Sequence, residues 1–486
     1  MTSRPLSDWL APMASSTLPT IAVGGVAEDS GAVASGDLFL ACAESAELRE
    51  RHIQEALDRG AAAILIDQQM TPPADCSVPV VAIRDLRSER GAVAARFYAD
   101  PSASLRCIGI TGTNGKTSTA FHIANLSDQL GVPCGYVGTL GWGSIERLES
   151  SSLTTPDAVS LQRRLAAMKT DRVERVALEV SSHSLHQGRA KYVKFDIGVF
   201  TNLTRDHLDY HKTMQAYGEA KAQLFTQWPL ELAVINGDDA VGRELLARAR
   251  AKEVISFGQR GDVRWQSTPT RRGTDVRFMT PWGRMEAVLP AVADFAVANI
   301  AAALTVIMGL GHGVTEVADA LATLRQVPGR MQAAPYAGRM PRIVVDYAHT
   351  PDAVAKALSS LRPQCRGRLI CVVGCGGDRD PGKRPQMAHA AALGCDQLWL
   401  TSDNPRHEKP EDILRDMHEG LAAGQLSKCT TEPDREVAIR AAISGAHCDD
   451  VILIAGKGHE DTQEIEGSFR HFSDAEVVQK IIEDTA

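Results

Sequence analysis

The chain has 486 residues, 52 basic and 60 acidic side chains, a formal net charge of -8 and a sequence pI near 6.0. That length allows roughly three domains, each able to bury a core of its own, and the basic residues are scattered rather than gathered into runs that could follow a phosphate backbone, so nucleic acid is not an expected partner. Ten cysteines without CxxC pairs or a secreted disulfide pattern, and a start from Met1 to Met13 without an apolar signal core, lead to the expectation of a reduced, cytoplasmic protein.

Up to about residue 98, short apolar runs at 37–42 and 61–66 flank a helical stretch over 47–59, the pattern of a small α/β domain. Asp100-Pro101-Ser102 marks a turn. The strand-like run 105–110 then leads into Thr111-Gly-Thr-Asn-Gly-Lys-Thr-Ser118 and a helix, the context in which backbone N–H groups close around phosphate oxygens. In this loop Gly112 and Gly115 permit dihedrals that a side chain forbids, Lys116 reaches terminal phosphates, and Thr117 offers a hydroxyl to Mg²⁺. Ile110 stands where the first glycine of a standard phosphate loop belongs.

Further strand-like runs at 175–180, 195–201 and 232–236 alternate with helical stretches, predicting a mainly parallel central sheet. Glu179, at the end of one run, is a natural Mg²⁺ ligand. His207, just after another, is either a ligand for a second metal or an ordinary hydrogen-bonded loop residue. His207 and His211 have helical ligand spacing but no third partner at a diagnostic offset, so zinc is set aside. The apolar stretch 291–310, interrupted by Asp294 and Asn299, predicts a buried helix rather than a membrane span.

After a boundary at 329–338 the alternation resumes, with strands predicted at 343–347, 369–373, 397–401 and 451–455. Each runs directly into a polar motif: Asp346-Tyr-Ala-His-Thr-Pro351, Gly374-Cys-Gly-Gly-Asp-Arg379, Asp403-Asn-Pro-Arg406 and Gly456-Lys-Gly-His-Glu460. In an open parallel sheet those ends share one edge and line one crevice. Arg379, Arg406 and Lys457 beside Asp403 and Glu460 make a mixed-charge set suited to a zwitterion. The lone Cys371-xxx-Cys375 pair reads as two buried thiols around a strand end rather than a metal site. A nucleotide site together with a zwitterion site implies activation of a carboxylate by phosphorylation and attack by an amine.

These motifs, with Leu153-Thr-Thr-Pro156, Glu179 to His183 and Thr201 to Asp209, resemble the Mur ligases in order and over most of the chain. The resemblance implies an α/β protein of three domains: a UDP-substrate domain over 1–87, a central ATP-binding P-loop domain over 88–335 and a Rossmann-like amino-acid domain over 336–486. It implies ATP contacts at Gly112, Thr113, Asn114, Gly115, Lys116, Thr117, Ser118, Asn299, Arg330, Asp346 and His349. The UDP-linked substrate would meet Ser30, Thr154, Thr155, Ser181, Gln187 and Arg189. Asp403 to Arg406 is similar to the diaminopimelate-adding branch, which implies a diaminopimelate site of Arg379, Asp403, Asn404, Pro405, Arg406, Gly456 and Glu460.

By the same resemblance Lys221, read alone an ordinary helix-face lysine, is carbamylated by CO₂ and joins Thr117, Glu179 and His207 around Mg²⁺; Lys116, His207 and Lys221 are then catalytic. The implied substrates are ATP, UDP-N-acetylmuramoyl-L-alanyl-D-glutamate and meso-2,6-diaminopimelate, on a monomer that does not insert into membranes and closes about a hinge over 333–338. Gly31, Ala296 and Gln332 depart from the family pattern of Arg, Asn and Glu. A folylpolyglutamate synthase would share the phosphate loop but lack the N-terminal domain and Asp403 to Arg406, and a P-loop switch would not need the C-terminal crevice.

Overall fold

The computed structural model describes residues 3–14, 17–72, 76–270, 273–290, 293–335 and 340–485. Positions 336–338 of the expected hinge and 291–292 of the expected helix lie outside them. The chain divides into two compact units, Met1–Gly261 with Ala302–Gly311, and Asp262–Ala301 with His312–Ala486.

The first unit opens on a short antiparallel pair, β1 (Arg4–Pro5) and β2 (Ala22–Val23). A four-stranded parallel sheet follows, β3 (Val26–Ala27), β4 (Leu38–Leu40), β5 (Ala63–Asp67) and β6 (Val80–Ile83), in that spatial order. Side chains alternate along these strands. Leu38, Leu40, Leu65 and Ile83 face the helix Leu86–Phe97, and Phe39, Ile64 and Ile66 face the helix Ala46–Asp58.

An eight-stranded sheet makes up the rest of the unit: β7 (Arg106–Thr111), β8 (Cys134–Gly138), β9 (Gly141–Ser144), β10 (Arg147–Glu149), β11 (Arg175–Glu179), β12 (Phe195–Phe200), β13 (Leu230–Asn236) and β14 (Ala251–Phe257). Its order is β10-β9-β8-β11-β7-β12-β13-β14, parallel apart from the antiparallel pairings of β9 with β8 and β10. Glu179 pairs with Ile110, and Phe200 with Thr111. This register puts the loops after β7, β11 and β12 side by side at one edge, because neighbouring parallel strands lie only about 4.8 Å apart.

The second unit starts with an antiparallel sheet the sequence reading did not anticipate, β15 (Arg264–Thr270), β16 (Gly273–Thr280) and β17 (Gly283–Leu289). The helix Asp294–Gly309, whose residues up to Ala301 belong to this unit and whose residues from Ala302 belong to the first, matches the expected buried apolar helix, with Val297, Ile300, Leu304 and Ile307 all buried. The main sheet then comprises β18 (Gln332–Ala333), β19 (Arg342–Asp346), β20 (Leu369–Val373), β21 (Gln397–Leu400), β22 (Cys429–Thr431) and β23 (Val451–Ala455), in the order β18-β19-β23-β20-β21-β22. A hairpin, β24 (Thr462–Ile465) and β25 (Ser468–His471), follows.

Period-two alternation covers both faces of this main sheet. Val344, Cys371, Val373, Leu398 and Leu453 pack on the helices Pro351–Leu361 and Lys383–Gly394; Ile343, Ile370, Val372, Ile452 and Ile454 pack on Arg435–Ser444 and Asp474–Thr485. This is the doubly wound arrangement predicted from the alternation. Cys371 and Cys375 are buried free thiols around the end of β20, and burial pushes the Cys375 thiol up to about 12. Among the described residues no helix is long and apolar enough to cross a membrane.

Candidate active site

The loop after β7 is shaped by its neighbours. Thr113 N donates to Asn202 O at 2.8 Å, Asn114 N to Asn202 Oδ1 at 3.0 Å, and Thr201 Oγ1 to Asn114 O at 2.6 Å. Gly112 has φ 148°, and a Cβ there would lie 1.9 Å from Thr201 Oγ1, so only glycine lets the loop approach β12 this closely. The helix Lys116–Gln129 starts directly behind, capped by Gly115 in the left-handed region. Its N-terminal N–H groups and positive dipole end make that start a place for anions.

Two lysines converge on one carbonyl of this loop. Lys116 Nζ donates to Gly112 O and Thr113 O, both at 2.9 Å, and Lys221 Nζ donates to Gly112 O at 2.7 Å. Lys221 is 1 % exposed and its Nζ stands 4.5 Å from the centre of the Tyr217 ring. Burial, reinforced by the charge of Lys116, holds its pKa well below the usual lysine range. Read from the sequence as a helix-face lysine, Lys221 is in fact a buried amine at the phosphate loop.

Glu179 is fully buried. Its Oε2 accepts from Thr117 Oγ1 at 3.0 Å, and its Oε1 accepts from Thr139 N at 2.9 Å and from the Tyr136 hydroxyl. Thr117 and Glu179 thus form the hard-oxygen pair that Mg²⁺ favours. His207 has φ 52°, and its ring lies 5.9 Å from that of Tyr217 and 4.8 Å from that of His183. Burial lowers the pKa of His207, and His211 is lowered to about 4 by burial and then by its histidine neighbours. No group of three His, Cys, Asp or Glu side chains is set to hold a metal among the described residues; the oxygen pair and the buried lysine are the fitting elements.

Tyr217 is the residue that sequence reasoning missed here. Its hydroxyl is 3.1 Å from Thr113 Oγ1, and its ring meets Lys221, His207 and His211. Its position one helical turn before Lys221 was the available signal.

Five of the six expected UDP-substrate residues come together. Thr155 Oγ1 donates to Glu179 O at 2.8 Å, Ser181 N donates to Thr155 Oγ1 at 3.0 Å, and Arg189 Nη1 donates to Thr155 O. Thr154 Oγ1 lies 3.1 Å from Thr139 Oγ1, and Gln187 Nε2 donates to the Tyr210 hydroxyl at 3.2 Å. Ser30 is not among them: it begins the 3-10 turn Ser30–Ala32 between β3 and β4, where its hydroxyl donates to Glu55 Oε2 at 2.7 Å.

Beside them Glu28 pairs with Arg90 at 2.9 Å and hydrogen-bonds Asp157. The Arg90 charge draws the Glu28 pKa down, but burial and the Asp157 carboxylate outweigh it and raise Glu28 to about 8, while Asp157 is lowered. The two carboxylates therefore share one proton. The folded state holds this proton more tightly than the unfolded chain, so the stabilisation is complete below about pH 4.5 and is lost as pH rises towards 8. Glu28→Gln is expected to flatten the fall in melting temperature across that interval, checked by thermal melts at a series of pH values.

In the second unit the register Asp346↔Ala455, Val373↔Ala455 and Val373↔Leu400 aligns four strand ends in one row. The four polar motifs share an edge, as expected. Asp346 accepts from Met331 N at 2.7 Å and Ala348 N at 2.9 Å, and burial raises its pKa. The Arg330 guanidinium covers the Tyr347 ring at 4.5 Å, and the His349 ring stands 4.7 Å from it. Arg330, Asp346 and His349 are thus collected around Tyr347. Asn299 lies separately, buried on the helix Asp294–Gly309.

Across the same edge, Lys457 Nζ, fully buried, donates at 3.1 Å to both Asn404 Oδ1 and Glu460 Oε2, and Asn404 Nδ2 donates to Glu460 Oε2 at 3.0 Å. Gly456 has φ 118°, and a Cβ there would meet Asp403 Oδ2 at 2.5 Å. Arg406 has φ 54°; its Nη1 donates to Gly377 O at 2.7 Å and its Nε faces Glu464 Oε2 at 3.2 Å. Pro405 closes on the neighbouring loop, where a Cβ at Gly377 would meet Pro405 O at 1.9 Å. Arg379 is exposed, with its Cγ near Gly376. Glu464, on β24, was not singled out from the sequence.

The Mur ligase middle domain matches residues 110–307, and the Mur ligase glutamate ligase domain matches residues 329–458. A protein of Coxiella burnetii is 42 % identical over 99 % of this chain and 100 % of its own length. The chain belongs to the Mur ligase family. Members are ATP-dependent ligases that form peptide bonds, and this Mur ligase is such an enzyme. The Coxiella relative is named UDP-N-acetylmuramoyl-L-alanyl-D-glutamate--2,6-diaminopimelate ligase, as is one of Pseudomonas aeruginosa that is 44 % identical over 93 % of this chain and 94 % of its own. A solved structure of the same name superposes with a TM-score of 0.71 at 33 % identity, covering 100 % of this chain and 99 % of the other. A structure of MurF from Acinetobacter baumannii, at 16 % identity and a TM-score of 0.67, shares the fold of this Mur ligase.

Proposed function

We propose that this Mur ligase joins meso-2,6-diaminopimelate to the D-glutamyl γ-carboxylate of UDP-N-acetylmuramoyl-L-alanyl-D-glutamate in the cytoplasm, at the expense of ATP, in the synthesis of peptidoglycan precursors. The observation that supports the reading is the strand register that brings to one sheet edge the ends of β20, β21 and β23, which lead into the motifs containing Arg379, Asp403, Asn404, Arg406, Gly456 and Glu460. Such a set takes two carboxylates and an ammonium at once. The names of relatives above 40 % identity support the same substrate. We propose a UDP-substrate domain over 1–87, a central ATP-binding domain over 88–335 and an amino-acid domain over 336–486.

The γ-carboxylate, held beside Thr154, Thr155, Ser181 and Arg189, attacks the γ-phosphorus of ATP; the bond to the β–γ bridging oxygen breaks, ADP leaves and an acyl phosphate forms. Lys116 neutralises charge that builds on the transferred group. Thr117, Glu179, His207 and Lys221 as a carbamate would hold Mg²⁺, which would supply further charge neutralisation at the same phosphates. The amine of diaminopimelate then adds to the acyl carbon, and phosphate leaves. Asp403 and Glu460 orient the ammonium that is not consumed, and Arg406 holds the distal carboxylate.

Phosphate release from ATP with the UDP-dipeptide tests this directly. It is expected to depend on diaminopimelate and to be at least about a hundredfold slower with lysine, which lacks the distal carboxylate; equal rates with lysine, or release only with glutamate, would refute the substrate. Gly112→Ala is expected to weaken ATP binding by about tenfold or more, since the new Cβ must displace Thr201 or the loop itself. Calorimetric titration of the folded variant with ATP checks it.

A further inference from the structure

Arg435, first residue of the helix Arg435–Ser444, and Asp474, first residue of Asp474–Thr485, form an ion pair whose side chains are both 0 % exposed. Arg435 Nε donates to Asp474 Oδ1 and Nη2 to Asp474 Oδ2, each at 2.7 Å. The other donors reach backbone: Nη1 to Ser402 O at 3.2 Å and Nη2 to Ala455 O at 3.0 Å. Ser402 immediately precedes Asp403, and Ala455 immediately precedes Gly456. One guanidinium therefore ties together the ends of β21 and β23 at the point where each gives way to its substrate motif.

Stability does not account for such a pair. Its helices already bury Ala438, Ile439, Val478 and Ile481 against the sheet, and apolar side chains of similar volume usually serve a core as well as a buried ion pair does. What apolar side chains cannot do is fix two carbonyls on neighbouring loops by directional bonds. The space in front is equally constrained, because a Cβ at Gly456 would lie 2.5 Å from Asp403 Oδ2 and 4.0 Å from Arg435 Nη2.

We propose that Arg435 and Asp474 are positioning residues for the amino-acid subsite: they lock the loops that carry Asp403 and Glu460 in the spacing that receives the substrate ammonium. The proposal rests on the diaminopimelate reading for its substrate and on the bonds to Ser402 and Ala455 for its geometry.

The test uses the full-length enzyme with the double substitution Arg435→Met and Asp474→Leu, which leaves no unpaired charge, and with Arg435→Lys, which keeps the charge but cannot span all four acceptors. The double variant is expected to fold with a melting temperature within about 5 °C of wild type. KM for diaminopimelate should rise about tenfold or more, while KM for ATP and for the UDP-dipeptide stays within about twofold. Arg435→Lys should fall between. Hydrogen exchange at the amides of Asp403, Asn404 and Arg406 and of 456–460 should quicken about tenfold in the double variant without any substrate.

A folded double variant with wild-type KM for diaminopimelate and unchanged exchange overturns the proposal. So does failure of both variants to fold, because the pair would then serve stability. A wild-type enzyme that ignores diaminopimelate, with exchange still quickened in the variant, sinks the substrate reading and leaves the positioning role standing.

Discussion

Arg406→Ala is expected to lower kcat/KM for diaminopimelate by about a hundredfold, through KM, with KM for ATP unchanged. The guanidinium is already anchored on two sides, by Gly377 O at Nη1 and by Glu464 at Nε, and its Nη2 makes no hydrogen bond among the described residues. That leaves the Nη1–Nη2 edge to take a carboxylate with two parallel bonds. Breaking a partly buried, charge-assisted pair of this kind costs about 3 kcal/mol, which is the hundredfold stated.

Part of the loss has a second origin. Without Arg406 the Glu464 carboxylate, 20 % exposed, faces the distal carboxylate of the substrate with no cation between them. Arg406→Ala combined with Glu464→Gln is therefore expected to recover about threefold to tenfold of the loss. Lysine has no distal carboxylate, so its use should change little in either variant. Steady-state rates with both amino acids decide it: an Arg406→Ala enzyme as selective and as fast as wild type would mean that the distal carboxylate binds elsewhere.

Strand ends and loops were legible because each carries a local signal. The run into Thr111 to Ser118 and the four motifs after β19, β20, β21 and β23 are apolar segments that stop abruptly at glycine and charge, and the parallel register alone brings them to one edge. Less legible was everything fixed by distant partners. Nothing local separates Arg435 or Glu464 from other charged residues, since their roles come from Ala455 O and Arg406, which only the folded sheet supplies. The β15–β17 sheet escaped for a different reason. Its buried positions Trp265, Val276, Phe278, Met285 and Leu289 do alternate, but the prolines, threonines and arginines between them dilute the pattern below what an eye trained on long apolar runs will accept. Burial of Lys221 was hidden likewise: a lysine on an apolar helix face is read as snorkelling, and only the approach of Gly112 O shows where its amine ends.

That burial supports the second large effect, a fall in kcat of about 10²- to 10³-fold in Lys221→Ala, the range found when one preorganised oxyanion-hole donor is removed from an acyl-transfer centre. A buried cation 2.7 Å from Gly112 O and close enough to Lys116 to feel its charge would repel Mg²⁺. The depressed pKa instead favours the neutral amine over the charged form, relative to an exposed lysine. A neutral amine can bond the carbon of CO₂ and release one proton, giving a carbamate whose oxygens are anionic ligands. Lys221→Arg separates this from a role as a plain cation, because arginine keeps the charge and cannot form the carbamate. It is expected to be as inactive as Lys221→Ala. Enzyme equilibrated with ¹³C-labelled bicarbonate should show one carbamate carbon by NMR that is absent from both variants, whereas a label-free wild type together with an active Lys221→Arg enzyme would leave the lysine as an ordinary phosphate-binding cation.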